Sequence, residues 1–302
     1  MLRYSLRQVE YLLAAAEHGS INEAAVALGV AQPTVSMAIA KLEEQLGLQL
    51  LLRHHAHGVS LTAAGERLLS EARQLLRQAS DLQNQAAEAG GKVEGSLGIG
   101  AYLTLAPMFM PALISAFRAA HPRVEIALHE GTEEQLVDGL RRGRFELAII
   151  YSVDLPADLR FERLGTFPPY VLLPQRHRLA RQKTVALKSL ADEPFILLDV
   201  TPSRSYFTGL LKDQGIEPKV AFSSPSLELV RGLVGCGAGY SILVTRPHGD
   251  HTYDGHALAV RAIREKCRAA EAGLAMHVSA RATRVMSAFS DFARSWFARR
   301  EA

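Results

Sequence analysis

Disulfides, membrane spans and a strong net charge are all missing from this sequence. Its two cysteines, Cys236 and Cys267, sit in no Cys-x-x-Cys or Cys/His cluster. That leaves no disulfide framework, argues against a structural zinc site and fits a reducing compartment. No apolar run reaches the roughly 18 residues that a membrane-spanning helix needs. The N-terminal stretch carries Glu10, Glu17 and His18 and lacks the long apolar core of a signal peptide. The expectation is a soluble cytoplasmic protein with no metal, no other cofactor and no membrane partner. The formal net charge is only +3. Any affinity for nucleic acid must therefore come from a local basic patch.

What is present is ordinary in composition and ordered in pattern. Hydrophobic residues make up 48% of the chain and charged residues 22%, as in soluble globular proteins. At roughly 100–200 residues per domain, 302 residues make two or three domains. Leu6, Val9, Leu12 and Leu13 recur at helical spacing. Ser20 reads as the N-cap of a helix over 21–28, which Gly29 ends. A second helix runs over 32–46, with Pro33 in its first turn and Gly47 after it. Residues 48–61 read as two short strands about His57-Gly58, a hairpin or wing.

A long helix follows from Thr62. Leu68, Ala72, Leu75, Ala79, Leu82, Ala86 and Ala89 repeat along it in steps of four and three. That is a heptad seam over about three heptads. Two readings stay open, a helix pairing with another subunit and a helix packed on its own domain. Polar neighbours such as Arg73, Gln74, Gln78 and Gln85 favour the first. Gly90-Gly91 marks a hinge.

Beyond the hinge, strand-like and helix-like runs alternate. Strands are expected over 97–100, 124–129, 147–151, 171–173, 195–198, 220–222, 240–244 and 274–278. Helices are expected over 107–120, 133–142, 206–214 and 227–234. This is an α/β pattern with largely parallel sheets, long enough for two lobes.

Two short helices joined by a tight turn, with small residues where they cross, make a helix-turn-helix. Ala24, Ala25 and Leu28 would face inward on the first helix, and Val35, Ile39 and Leu42 on the second. The exposed start of the second helix carries Gln32, Thr34, Ser36 and Met37, whose polar members suit base edges and phosphates. The run Ser20-Ile21-Asn22-Glu23-Ala24-Ala25, then Leu28-Gly29-Val30-Ala31-Gln32-Pro33-Thr34-Val35-Ser36, Ile39, Lys41-Leu42-Glu43, Leu46-Gly47, Leu50, Arg53, Leu61-Thr62 and Ala64-Gly65 resembles the DNA-binding domain of LysR-type transcriptional regulators. The alternating lobes behind it are similar to that family's effector domain.

The resemblance implies a winged helix-turn-helix over 1–61, a linker and dimerisation helix with its hinge over 62–91, and an effector-binding domain over 92–302. The last is a two-lobed, periplasmic-binding-protein-like (type 2) α/β domain, with lobe 1 over about 92–165 and 268–302 and lobe 2 over about 166–267. It implies double-stranded DNA with a pseudo-palindromic operator, a small-molecule effector, a second copy of the chain and RNA polymerase as partners. Ser20, Gln32, Pro33, Thr34, Ser36, Met37 and Lys41 would lie at the DNA, with Arg53 and His57 of the wing near phosphates. Leu68, Ala72, Leu75, Ala79, Leu82 and Ala86 would join subunits in a dimer or tetramer.

Two positions depart from the family pattern. Leu51 stands where the family tends to have Phe. The wing reads His54-His55-Ala56-His57-Gly58 where the family tends to have arginines and small polar residues. These histidines either fill a tolerant loop or strengthen DNA binding as pH falls from about 8 to about 6.

In open α/β lobes, ligands bind beyond the carboxyl ends of strands, where helix N-termini converge and suit anions. That points to Tyr102, Leu103, Thr104, Thr132, Tyr151, Thr201, Pro202, Ser203, Arg204 and Ser226. Each Ser or Thr has an alternative as a plain helix cap. Arg204 is the expected anchor for a carboxylate, so the effector is expected to be small and anionic. The segment 234–240 is glycine-rich but lacks the GxGxxG spacing, and reads as a turn into a strand. The resemblance opens a redox-switch reading for Cys236 and Cys267, as in peroxide-sensing members of the family, and Arg264, Lys266 and Arg268 flank Cys267 and would favour its thiolate; the plainer reading is a buried or bystander cysteine. Two other functions fit an α/β domain less well. An enzyme is opposed by the absence of a nucleophile elbow, His-Glu-x-x-His motif or paired carboxylates at cleft positions, and Asp199 has no base partner in the sequence. A solute receptor is opposed by the N-terminal helix-turn-helix.

Overall fold

The computed structural model describes residues 3–54, 58–87 and 93–301, without the side chains of 77, 80, 81, 83–87 and 301. The expectations for His57, the Ala86 side chain and the Gly90-Gly91 hinge lie outside the described residues. Two compact units are present, one of residues 1–95 with 141–144, the other of 96–140 and 145–302.

Three helices open the first unit: α1 (Leu6–His18), α2 (Ile21–Ala27) and α3 (Gln32–Leu46). Ser5 and Gln8 close a capping box at α1, with the Ser5 amide donating to Gln8 Oε1 at 2.8 Å. Ser20 caps α2, accepting from the Glu23 amide at 3.3 Å. Leu12, Ala15, Ala24, Val35, Ile39 and Leu42 form the core between the helices. Ala24 is wholly buried, and its small size lets α2 approach its neighbours closely.

A two-stranded antiparallel hairpin follows, β1 (Leu51–His54) and β2 (Gly58–Leu61). Glu43 Oε1 accepts from the amides of Leu50 (2.7 Å) and Leu51 (3.0 Å), tying α3 to the hairpin. On its other side the hairpin meets the α1–α2 turn, where the Val59 amide donates to the Gly19 carbonyl at 2.8 Å. Gly58 has φ +83°, and a Cβ there would lie 2.2 Å from that same carbonyl oxygen. Only glycine fits both constraints.

Helix α4 (Ala63–Ala87) starts directly after the hairpin. The Gly65 amide donates to Thr62 Oγ1 at 3.0 Å. Leu69 and Ala72 bury against Val9 and Leu13 of α1, and Leu68 packs on the three-helix core. The first part of the expected subunit seam is thus covered within the chain. A helix that leaves a hairpin on the domain surface lays its first turns on that domain, and heptad spacing does not say which partner the seam meets. Leu75 and Ala79 are half-buried, and Leu82 is exposed.

The second unit contains two main sheets. It begins with β3 (Gly95–Tyr102), α5 (Ala106–Ala120), β4 (Val124–Gly131), α6 (Glu133–Arg141), β5 (Leu147–Tyr151) and β6 (Leu159–Phe167). It continues with β7 (Tyr170–Pro174), β8 (Thr184–Val185), β9 (Phe195–Leu198), α7 (Ser203–Lys212), β10 (Val220–Ser224) and α8 (Leu227–Gly235). It ends with β11 (Ser241–Leu243), β12 (Leu258–Ile263), β13 (Ala270–His277) and α9 (Arg284–Glu301). The first sheet has the order β4-β3-β5-β13-β6, and the second β11-β7-β12-β8, beside a parallel pair β9–β10.

The largely parallel sheets expected from the sequence are mixed. β3 and β5 are parallel, but β13 is antiparallel to both β5 and β6, and β7 to both β11 and β12. The chain leaves the first sheet along β6, enters the second at β7, and returns from β12 along β13. An outgoing and a returning strand that lie side by side must oppose each other. β6, β8, β12 and α9 were not foreseen. Residues 147–151 of β5 are buried throughout, as a central strand covered on both faces requires.

Candidate functional site

The first site is the exposed start of α3. Gln32, Pro33, Thr34 and Met37 are exposed there, and Lys41 lies exposed further along. Ser36 is half-buried, and its Oγ accepts from Arg53 Nη1 of β1 at 3.1 Å. Hairpin and helix therefore share one polar surface. Ser20 is engaged as the cap of α2. The N-cap of α3 is Ala31, which makes no side-chain cap bond. The first amides of α3 are not covered by a capping side chain, an arrangement suited to phosphate. The sequence reading overlooked Ala31, although an alanine at a cap position is itself the signal.

The second site is built from strand ends. Tyr102 ends β3 and Tyr151 ends β5, and both are buried. Their rings meet edge to face at 5.4 Å. Tyr151 Oη and Thr104 Oγ1 share a hydrogen bond of 3.3 Å. The Leu103 amide donates to the Gly131 carbonyl at the end of β4, at 3.2 Å. Thr132 and Gln135 cap α6 reciprocally, the Thr132 amide donating to Gln135 Oε1 at 2.9 Å. From the other side, Tyr102 Oη donates to the Thr201 carbonyl (3.0 Å) and lies 3.4 Å from Ser203 Oγ. Thr201, Pro202 and Ser203 follow β9, so the end of a strand in the β9–β10 pair meets the strand ends of the first sheet here. The Thr201–Pro202 peptide is cis. Ser226 caps α8, accepting from the Leu229 amide at 3.3 Å.

The electrostatics of these strand ends differ from expectation. Arg204 is exposed, and both edges of its guanidinium fork engage Asp199, Nε to Oδ1 and Nη2 to Oδ2 at 2.5 Å each. Its hydrogen bonds hold the Asp199 carboxyl below the usual carboxylate range. An anionic ligand would have to displace Asp199 to use this arginine. Glu133, the first residue of α6, is 8% exposed, and its Oε2 has no hydrogen-bond partner among the described residues. Burial, and then the Asp154 carboxylate, push its carboxyl up to about 7. Burial, opposed by the hydrogen bond with Ser203 and aided by the Glu133 charge, pushes the Tyr102 phenol up to about 12. The sequence reading missed Glu133, since Thr132 and Glu133 look like any helix start.

Other groups are placed as follows. Arg231 of α8 is buried and reaches Glu228 (3.3 Å) and the His251 carbonyl (2.9 Å). In the glycine-rich segment, a Cβ on Gly239 would lie 2.2 Å from the Pro194 carbonyl oxygen, and the segment turns into β11 as expected. Both cysteines are free. Burial first, then Glu265 and Asp213, raise the Cys267 thiol, so the flanking basic residues do not favour its thiolate. Ligand atoms of Cys236, Asp254 and His256 lie within 4.8 Å of one another on the surface, a juxtaposition their spacing in the sequence does not reveal.

The two parts of the chain also match known protein families. Residues 6–66 match the family model described as bacterial regulatory helix-turn-helix protein, lysR family, and residues 90–298 match the LysR substrate binding domain. A hydrogen peroxide-inducible genes activator of Dickeya chrysanthemi is 33% identical over 240 residues, 79% of this chain and 78% of that protein. The structure of HinK, a LysR family transcriptional regulator from Pseudomonas aeruginosa, is 41% identical with a TM-score of 0.67, covering 97% of this chain and 99% of that one. The structure of full-length CbnR complexed with its target DNA is 25% identical with a TM-score of 0.64, covering 96% and 99%.

Proposed function

Because this chain belongs to the LysR family of transcriptional regulators, we propose specific residues for the work that such a regulator does. A LysR-type regulator binds operator DNA through its helix-turn-helix, binds a small effector in its C-terminal domain and self-associates. We propose that Gln32, Pro33, Thr34, Ser36 and Met37 meet base edges in the major groove. Lys41, Arg53 and His57 would meet phosphates, and Ser20 would set the start of α2 beside them. The Arg53–Ser36 hydrogen bond carries this reading, because it joins the hairpin's cation to the helix face that would read bases.

The effector is proposed to bind where the strand ends of the first sheet meet those of the β9–β10 pair, near Tyr102, Leu103, Thr104, Thr132, Tyr151, Thr201, Pro202, Ser203 and Ser226. The Tyr102–Thr201 contact supports this, since it bridges the first sheet to the β9–β10 pair. The lobe boundaries near 165 and 268 are supported by the crossings between β6 and β7 and between β12 and β13. The subunit seam is proposed to run through Leu75, Ala79, Leu82 and Ala86. A domain that senses its ligand rather than converting it suits the engagement of Asp199, the carboxylate near the strand ends, by Arg204. Among the described residues no single helix is long and apolar enough to cross a membrane, and a cytoplasmic location suits a DNA-binding protein.

The test is selection of bound fragments from genomic DNA by the purified protein at about 50–200 mM salt. A discrete palindromic site that survives the higher salt and weakens in Gln32→Ala supports the assignment. Weak, sequence-independent binding that vanishes with salt, with or without added effector, opposes it.

A further inference from the structure

Glu133 opens α6, directly beyond the end of β4. It is buried, and one of its carboxylate oxygens, Oε2, lacks a hydrogen bond among the described residues. Leaving such a group unpaired is unfavourable unless something else meets it. Its charged and titratable neighbours make the deficit worse. Asp154, on the loop after β5, is a second negative charge within electrostatic reach, and the neighbour on β3 is the Tyr102 phenol. Asp154 is also held at φ +50°, alone in that region among the described non-glycine residues. Tyr102 is the residue that bridges to Thr201 and Ser203.

No cation figures among the groups that act on Glu133, and the arginines of α7 and α8 bind other groups. Arg204 holds Asp199 with both edges of its fork. Arg231 is tied to Glu228 and to the carbonyls of Gly249 and His251. An anionic effector at the strand ends would meet two carboxylates and an arginine already paired.

We propose that the effector presents a nitrogen donor, cationic near neutral pH, to Glu133 Oε2, so that the ligand class is an amine, amidine or guanidine rather than a carboxylate. This rests on the reading that the strand ends hold the effector, and it replaces the anionic ligand expected from Arg204. Asp154 adds to the negative field, and the Tyr102–Tyr151 pair suits an apolar or aromatic body attached to the nitrogen. Only the ionised carboxylate attracts the cation strongly. A group that titrates near 7 therefore makes binding of a permanent cation pH-dependent, with the affinity rising about tenfold between pH 6 and pH 8.

The experiment is calorimetric titration of the full-length protein at pH 6 and pH 8. The cationic probes are agmatine, phenethylamine and tryptamine, and the anionic probes are benzoate and succinate. The expected result is binding of at least one cationic probe, about tenfold tighter at pH 8, and at least tenfold weaker with a lost pH dependence in Glu133→Gln. Glu133→Asp, which keeps the charge, retains the preference for cations and serves where the glutamine variant does not fold. Binding of anions without cations, no binding of any cationic probe, or cation binding indifferent to Glu133→Gln overturns the proposal. Operator binding is measured in parallel with and without each probe. Cations that bind without altering it leave the ligand class standing and remove the sensing role. Sequence-specific operator binding without cation binding does the reverse.

Discussion

Arg53 of strand β1 donates to Ser36 of helix α3 at 3.1 Å, so one hydrogen bond joins the hairpin to the helix face proposed to read DNA. Arg53→Ala is expected to weaken binding to all sequences and to lower the slope of log affinity against log salt by roughly 1. Ser36→Ala is expected to weaken binding by about 1 kcal/mol and to let Arg53 move. The two changes should not add, with a coupling of about 0.5–1 kcal/mol in a double-mutant cycle. Strict additivity would mean that the pair is not kept on DNA.

Gly58 anchors the same hairpin. A methyl group there would stand 2.2 Å from the Gly19 carbonyl, on a backbone with φ +83°. Gly58→Ala is expected to destabilise the N-terminal unit by about 1–3 kcal/mol. Thermal unfolding gives the stability, and operator affinity should fall with it because the hairpin loses its seat on the α1–α2 turn. An unchanged melting temperature would rule this contact out.

Along α4, burial separates two roles. Leu69 is 7% exposed and packs with Val9 and Leu13, whereas Leu82 is 68% exposed. Leu69→Ala should lower stability by about 2 kcal/mol through the cavity it leaves. Leu82→Glu should leave the helical circular dichroism signal intact while shifting the protein toward monomer in sedimentation. If Leu82→Glu stays fully assembled, the seam lies on another face of α4.

Glu133 makes stability depend on pH in a direction opposite to most surface carboxylates. Its carboxyl rises from 4.5 to about 7 in the folded protein, through burial first and Asp154 second. The folded state then holds the proton more tightly than the unfolded state. The stabilising contribution is complete below about pH 4.5 and is lost as pH rises through about 7, a change on the order of 3 kcal/mol. Glu133→Gln, which cannot ionise, should melt several degrees higher than wild type at pH 8 and close to it at pH 4.5. Equal melting temperatures at pH 8 would show that Glu133 is not buried in solution.

Much of the DNA-binding half was legible because its signals are local. Ser20 before Ile21, Pro33 early in α3, Gly29 after α2 and Gly47 after α3 mark helix ends through hydrogen bonds that reach only three or four residues. Val35, Ile39 and Leu42 mark the buried face by spacing alone. The strand ends were legible at the level of loops, since alternating patterns locate Tyr102, Tyr151 and Thr201. Their partners were not. Nothing near Arg204 in the sequence distinguishes a free anchor from one held by Asp199, although the two stand only five positions apart. Nothing near Cys267 announces that burial, Glu265 and Asp213 outweigh the basic residues beside it.

The sequence by itself determined the helix-turn-helix, the hairpin, the long linker helix and an α/β domain behind them, because caps, turns and periodic burial are written within each element. Only the tertiary structure decided that β13 returns antiparallel between β5 and β6, that the start of α4 lies on α1, and that Glu133 Oε2 is buried without a hydrogen bond among the described residues. Those outcomes depend on which distant strand or helix fills the neighbouring space. Desolvation and charge pairing are set by that space, and no pattern of spacing along one element contains it.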